Sequence, residues 1–374
     1  MMKKLSLSPL FLFIFKKAVF YVITYFIALS LIFIIIRLMP GNPIEQLVAR
    51  LVIRQHRQVF GVDRLYLEYI SEFGLDKPML EQYLVYLQVM MASTWNAALR
   101  VFQFLLQSLH IQTSLASTAP NFNFGVSIMF YPNTVMDIIS GSLIWSFALL
   151  FPSIIVGFYV GNHLGAVAAS KKGVTDNIVF NVSLFLSNVP YYCLAFILLY
   201  VLAFLYPVFP IGGGYSFGRA GFSLTPDWIA DYLHHYALPF LSLAMINIGG
   251  QAIGMRVMMI YELNSDYYVY SKQLGLSEGK LANYAYNNAI LPQITGLALS
   301  FGSILGGSLI TEIVFNYPGI GLALYNAILR LDYPLIQGCF AIITITTLLA
   351  NFVMDIAYAF IDPRIRAVYG GEKA

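Results

Sequence analysis

Six apolar stretches, at 18–38, 138–160, 178–206, 236–255, 290–314 and 335–361, are each long enough to cross about 30 Å of hydrocarbon as a helix. A chain built this way must satisfy its backbone polar groups inside each crossing, so the expected fold is all-α and polytopic, with about six transmembrane helices. Short-loop charge then orients the spans, because Lys and Arg are retained on the cytoplasmic side. With the N-terminus inside, Lys3, Lys4, Lys16, Lys17, Lys171, Lys172, Lys272, Lys280, Arg364, Arg366 and Lys373 are cytoplasmic, and only Arg219 and Arg330 fall in short external loops. Both termini are expected in the cytoplasm. The chain divides into 1–40 (tail and first span), a large external segment 41–137, and a core 138–374 whose polar loop 264–289 faces the cytoplasm.

Composition agrees with a membrane location: 59% of residues are hydrophobic and 10% charged, against about 25% charged in soluble domains. The net charge of +3 forms no basic stripe, which excludes a nucleic-acid groove. Cys193 and Cys339 both lie in apolar runs and read as small buried hydrophobes rather than a disulfide or metal pair. The lysines at the N-terminus precede an apolar run too long for a signal-peptide core, so that run is read as a retained span. Residues 102–109 are apolar enough for an interfacial or packed helix; a seventh crossing there would invert everything downstream, against the charge pattern.

The polar stretch 266–292 carries the most local information. Asn264, Ser265 and Asp266 offer oxygens for a helix start, and Gly275 can adopt the left-handed conformation that ends one. A helix of about two turns is too short to stand alone in water. Its Tyr267, Tyr268, Tyr270 and Leu274 are expected to be exposed and to need a socket on a partner. Ser277 can cap a second helix with Glu278 in its first turn, and Pro292 opens the next apolar run.

Asp266, Tyr267, Gly275, Leu276, Ser277, Asn288, Ala289, Leu291 and Pro292 together resemble the coupling loop of permease subunits in ATP-binding-cassette importers, within the dipeptide, oligopeptide and nickel group. The family's Glu-Ala-Ala triplet reads Val269, Tyr270 and Ser271 here. The resemblance extends to the end of the first span (Arg37, Pro40, Gly41, Asn42, Pro43), to 73–78 with Gln82, Tyr83 and Leu84, and to the turn at 123–127. Between the last two, residues 89–119 exceed the spacer the family leads one to expect. It continues through Gly165, Gly173 and Asp176, the turn 209–214, and Glu312 to Gly321, then Asp332, Tyr333 and Pro334, and finally Asn351, Asp355 and Asp362 to Arg364.

The resemblance implies a transport subunit without its own nucleotide site. ATP would be used by two cytoplasmic ATPase subunits, with a second permease subunit, an extracytoplasmic binding protein and membrane lipid as the other partners. It assigns Asp266, Tyr267, Tyr270, Ser271, Leu274, Gly275, Leu276 and Ser277 to ATPase coupling. Four residues are expected on the translocation path or outer gate: Glu312 and Asn316 near the end of the fifth span, and Asn188 and Pro190, where a proline permits a kink in the third. For Glu312 a buried structural role is the alternative. Gly302, Gly306 and Gly307 share one face of the fifth span and suit close helix packing.

Other chemistry finds little support. Residues 275–281 are superficially like a phosphate-binding loop, but the spacing is one short and no Ser or Thr follows Lys280. The five histidines show no metal-ligand spacing, and His234 with His235 read as capping an external loop. No cofactor, metal or catalytic residue is expected. An ATP-independent channel or secondary transporter and an intramembrane enzyme are the competing readings. Peptides, nickel and oligosaccharides all stay open as cargo.

Overall fold

The computed structural model describes residues 9–39, 76–108, 124–216 and 225–361. Apart from one isolated bridge between Val126 and Thr134, every regular element among them is helical. In chain order these are α1 (Pro9–Leu38), α2 (Met79–Ser108), α3 (Val135–Lys171), α4 (Gly173–Asn188) and α5 (Tyr191–Leu199), the last running into a π-helical turn (Tyr200–Leu205). Then follow α6 (Pro226–Leu263), α7 (Asp266–Gln273), α8 (Glu278–Gly307), α9 (Leu309–Val314), α10 (Ile320–Leu329) and α11 (Tyr333–Ile361). Within this set α1, α3, α6 and α11 are each long and apolar enough to cross a membrane, and α4 with α5 adds a fifth if that bent pair is one span. The chain is a multi-pass helical membrane protein.

Several expected boundaries move. The third run was expected to kink at Pro190, yet α4 and α5 meet at 101°. Asn188 gives its side-chain amide to Leu184 O at 2.7 Å, the backbone turns extended at Val189, and Pro190 becomes the N-cap of α5. The fourth run lies inside a 38-residue helix that takes in His234 and His235, so these do not cap a loop. His235 is buried with Nδ1 on Asp231 O at 2.9 Å, and His234 Nε2 meets Val208 O at 2.7 Å. Pro292, where the apolar run begins, does not interrupt the helix; it sits within the continuous α8, as Pro152 and Pro239 sit within α3 and α6. The turn at 40–43, Arg219, residues 362–366 and the side chains at Gly302, Gly306 and Gly307 lie outside the described residues.

By contacts the chain divides into two compact units, Met1–Leu143 with Ala323–Leu348 and Ile144–Leu322 with Leu349–Ala374. In the first, α2 packs on α1: the Tyr86 hydroxyl donates to Leu29 O (3.1 Å), Ser30 and Tyr83 share a hydrogen bond (2.7 Å), and Phe33 lies 5.3 Å from both tyrosine rings. The 124–134 turn is then tied to the start of α11 by Asp332, which is fully buried. Its carboxylate accepts the Ser127 hydroxyl and the N–H groups of Ile128 (3.2 Å), Met129 (2.8 Å) and Leu335 (3.2 Å). The last of these bonds makes Asp332 the N-cap of α11, which also suits its charge to the positive end of the helix.

In the second unit, Gly157, Gly161 and Gly165 fall at i, i+4, i+8 on α3 and so form one stripe. A Cβ at Gly161 would meet Ile248 O at 2.6 Å and Gln251 Cβ at 2.7 Å, and one at Gly157 or Gly165 would strike Asn247 or Ala252 O. The backbones of α3 and α6 therefore touch, as small residues permit between membrane helices. On the other side of α6, Gly249 presses on α4, where a Cβ would lie 2.9 Å from Ser183 O and 3.1 Å from Ser187 N. Gly141, on α3 outside the stripe, meets nothing within 4 Å. Gly161→Val is expected to cost about 1–3 kcal/mol by overpacking. Gly141→Ala should leave stability unchanged or raised, and the two thermal midpoints in detergent decide between close packing and incidental glycine.

Candidate functional site

The loop between α6 and α8 is organised by a helix of eight residues, α7. Ser265 is its N-cap by backbone conformation, but its hydroxyl turns back to Glu262 O (2.6 Å) and caps no α7 amide. Likewise Ser277 starts α8 without a side-chain cap. Gly275 has φ +80° with no atom near its missing Cβ, so its requirement is for the left-handed conformation alone. The expected helix and its glycine stop are present, whereas the expected side-chain caps at Ser265 and Ser277 are not formed.

What fixes α7 is Tyr268. Its ring packs on a cluster of Ala166 and Ala169 of α3, Met255 and Met259 of α6, and Ala285 and Ala289 of α8, so it is an anchor, not one of four exposed anchors-in-waiting. Tyr267 is exposed, as expected, and donates to Glu262 Oε2 at 2.6 Å. Burial, followed by the Glu262 bond, holds its phenol above the usual tyrosine range. Asp266, Val269, Tyr270 and Leu274 stay exposed, Leu274 and Tyr270 most of all at 62% and 63%, and Ser271 and Leu276 are half-buried. Val257, Ile260, Tyr261, Asn264, Ser265 and Asp266 line a groove of about 580 Å³ beside this helix. The product is a short helix rigidly seated on three long ones, with an aromatic and aliphatic face turned outward.

The four residues expected on a translocation path do not form one cluster. Glu312 is fully buried: its carboxylate accepts the Ser146 hydroxyl (2.7 Å), the Ser308 hydroxyl (3.4 Å) and Gly321 N–H (2.7 Å). Ser146 in turn accepts Ile320 N–H at 2.9 Å. Glu312 thus ties the turn from Phe315 to Gly321 onto α3. Asn316 is exposed in that turn at φ +47°, and Asn188 and Pro190 are exposed at the α4–α5 break.

Sequence reasoning passed over the partners of Glu312. Ser146, one neutral serine in a long apolar helix, carries no signal of its own. Nor did it find the aromatic cluster beside it: Trp145 lies 5.5 Å from Tyr232 and Tyr317 and 6.0 Å from Tyr215. The turn at 209–214 packs on this cluster, with Gly213 N–H bonded to Phe315 O at 2.8 Å. An aromatic-Pro pair followed by glycine at both turns, Phe209-Pro210 and Tyr317-Pro318, was the available clue.

No group of three or more His, Cys, Asp or Glu among the described residues could hold a metal ion. Taken together, the elements define a multi-pass helical membrane protein with a short, partly exposed helix on one loop. Residues 161–367 match the model of the family described as binding-protein-dependent transport system inner membrane component, and the chain belongs to that family. It is a permease subunit of an ABC importer, a transport component and not an enzyme.

Named relatives agree along nearly the full length. The chain is 28% identical over 357 residues to the di/tripeptide transport system permease of Pseudomonas aeruginosa, covering 92% of this chain and 95% of that one. It is 26% identical over 363 residues to the dipeptide transport system permease of Escherichia coli (92% and 96%). It is also 26% identical over 336 residues to the oligopeptide transport system permease of Bacillus subtilis (89% and 92%).

Glu312→Ala orphans three buried donors, the closer two of them at about 1–3 kcal/mol each, whereas Glu312→Gln keeps a carbonyl acceptor. Thermal unfolding should therefore place the Ala variant well below wild type and the Gln variant between them. Equal midpoints for all three would show that the carboxylate does not hold the turn.

Proposed function

We propose that this subunit imports small peptides handed over by an extracytoplasmic binding protein, together with a second permease subunit and two cytoplasmic ATPase subunits. Its relatives in three bacteria are named as dipeptide, di/tripeptide and oligopeptide permeases, and the match to each spans about nine-tenths of both chains. Six crossings fit this reading: α1, α3, the bent pair α4 with α5, α6, α8 continued by α9, and α11. Both termini and the 264–289 loop then face the cytoplasm, in keeping with the distribution of Lys and Arg.

The observation that carries the mechanism is the seating of α7. A helix of this length is stable only through tertiary contacts, and Tyr268 supplies them on one side. The opposite side, with Tyr270 and Leu274, is the part a cleft on an ATPase would grip. Asp266, Tyr267, Ser271, Gly275, Leu276 and Ser277 shape the ends of that helix or flank the gripped face. Closure of the ATPases would push α7, and its rigid seat would pass the push to α6 and α8, changing which side the path opens to.

The test is uptake of a radiolabelled dipeptide by the full complex in liposomes with ATP inside or absent. Uptake should require ATP and the binding protein. Gly275→Val, which forces a β-branched residue to φ +80° at the exit of α7, is expected to lower peptide moved per ATP by about tenfold. Unchanged coupling in that variant would remove α7 from the coupling path. Uptake without ATP would overturn the importer reading itself.

A further inference from the structure

We propose that the ion pair between Arg256 of α6 and Asp176 of α4 is the positioning link that makes α4 follow α6 when α7 is displaced. The inference rests on the importer reading above and goes beyond it by naming the route the displacement takes.

The geometry is that of a fork. Arg256 Nε lies 2.5 Å from Asp176 Oδ1 and Nη2 lies 2.8 Å from Oδ2, so both oxygens are held at once. The guanidinium also rests over the Phe180 ring, 4.5 Å from its centre, one turn further along α4. Paired N–H bonds of this kind fix orientation as well as distance, and the ring restrains the side chain from a third direction. An isolated pair on a surface would be worth little. Here the pair matters for where it stands.

Arg256 lies seven residues before the end of α6 at Leu263, about 10 Å along the helix, and α7 begins just beyond at Asp266. At the same level α3 ends and α4 begins, joined through Lys172 and Gly173, both at positive φ, which folds the two helices back on either side of α6. A Cβ at Gly165 of α3 would lie 3.0 Å from Arg256 N, so one side of α6 is held there by backbone contact. On the other side, Asp176 and Phe180 hold it by charge and ring. Some way further on, Gly249 presses against Ser183 and Ser187 of α4. Thus α4 is fastened to α6 at two levels, and immediately beyond the second comes the 101° break at Val189 and Pro190. Past the break, α5 packs on α6 and also on α9, the helix that carries Glu312.

A push on α7 therefore travels up α6, crosses to α4 at Arg256, and reaches a point where the backbone has no helical bond to resist rotation. The glycine contact at 249 only prevents approach. Arg256 with Asp176 is the attachment that can pull as well as push.

The experiment uses the assembled transporter in liposomes, reading ATP hydrolysed and radiolabelled dipeptide taken up in the same vesicles. Asp176→Asn and Arg256→Gln are each expected to lower dipeptide moved per ATP by about tenfold while ATP hydrolysis continues. Arg256→Lys, which keeps the charge but loses the fork, should fall between. The exchanged pair, Asp176→Arg with Arg256→Asp, should recover most of the lost coupling. A lowered ratio in complexes that assemble and still hydrolyse ATP, restored by the exchanged pair, is a result that a residue needed only for folding would not give. If the single variants do not assemble, Arg256→Lys and the exchanged pair carry the test.

A native ratio in the variants that assemble, or an exchanged pair no better coupled than Arg256→Lys, overturns the inference and leaves the importer reading standing. A wild-type complex that moves dipeptide without ATP overturns both.

Discussion

The backbone contact of α3 with α6 at Gly157, Gly161 and Gly165 is the constraint from which the rest of the second unit follows. Lipid tails are as apolar as the helices themselves, so helices in a membrane gain nothing by merely hiding apolar surface from one another. They gain by close packing, and removal of three Cβ atoms along one stripe is what makes close packing available here. With α6 held to α3 on one side, Gly249 allows the same approach to α4 on the other, and α6 becomes the central member of three. The small cluster of Ala166, Ala169, Met255, Met259, Ala285 and Ala289 then forms where α8 joins. Only on that platform does an eight-residue helix find enough contact to stay folded.

Two buried carboxylates do the corresponding work at the turns, and both are satisfied in the same way. Asp332 and Glu312 are each fully buried, and each accepts a serine hydroxyl together with backbone N–H groups from a neighbouring turn. A buried charge without partners would be strongly disfavoured, so the acid and the turn that surrounds it stabilise one another. Asp332 fixes the 124–134 turn to the head of α11 in the first unit. Glu312 fixes the turn from Phe315 to Gly321 to α3 in the second. Neither needs a metal or an ion to explain its place.

How far these features could be read from residues alone depends on how local their causes are. The apolar runs reveal spans because length and hydropathy decide insertion one helix at a time. The stop of α7 was legible for the same reason, since Gly275 acts through its own backbone conformation, while Ser265 marks the start by backbone alone and bonds back to Glu262. Where the cause is a partner distant in sequence, the reading failed. Tyr268 looks like its exposed neighbours Tyr267 and Tyr270 until Ala166 and Ala285, 102 residues before it and 17 after, are brought beneath it. The bond of Ser146 to Glu312, from 166 positions away, is likewise announced by no local pattern. Pro292 signals a break by local rules, yet a helix packed along its length tolerates it. At Pro190 the same rule understated the effect, because Asn188 already ends α4 by taking Leu184 O with its side chain.

The contrast between Pro190 and Pro292 bears on how a permease of this family could change shape. A helix that keeps its course through a proline transmits displacement along its axis, and α8 does so from the loop at Ser277 to Gly307. A chain that turns 101° at a proline converts displacement along one segment into rotation of the next. On the proposed reading α7 pushes on both kinds of element at once, directly on α8 and, through α6, on α4. The two responses differ in direction although the stimulus is one. A rigid body would move the whole bundle equally and open nothing, so the break beside Asn188 and Pro190 earns a functional weight that their side chains, exposed and bonded only to their own helix, do not carry by themselves.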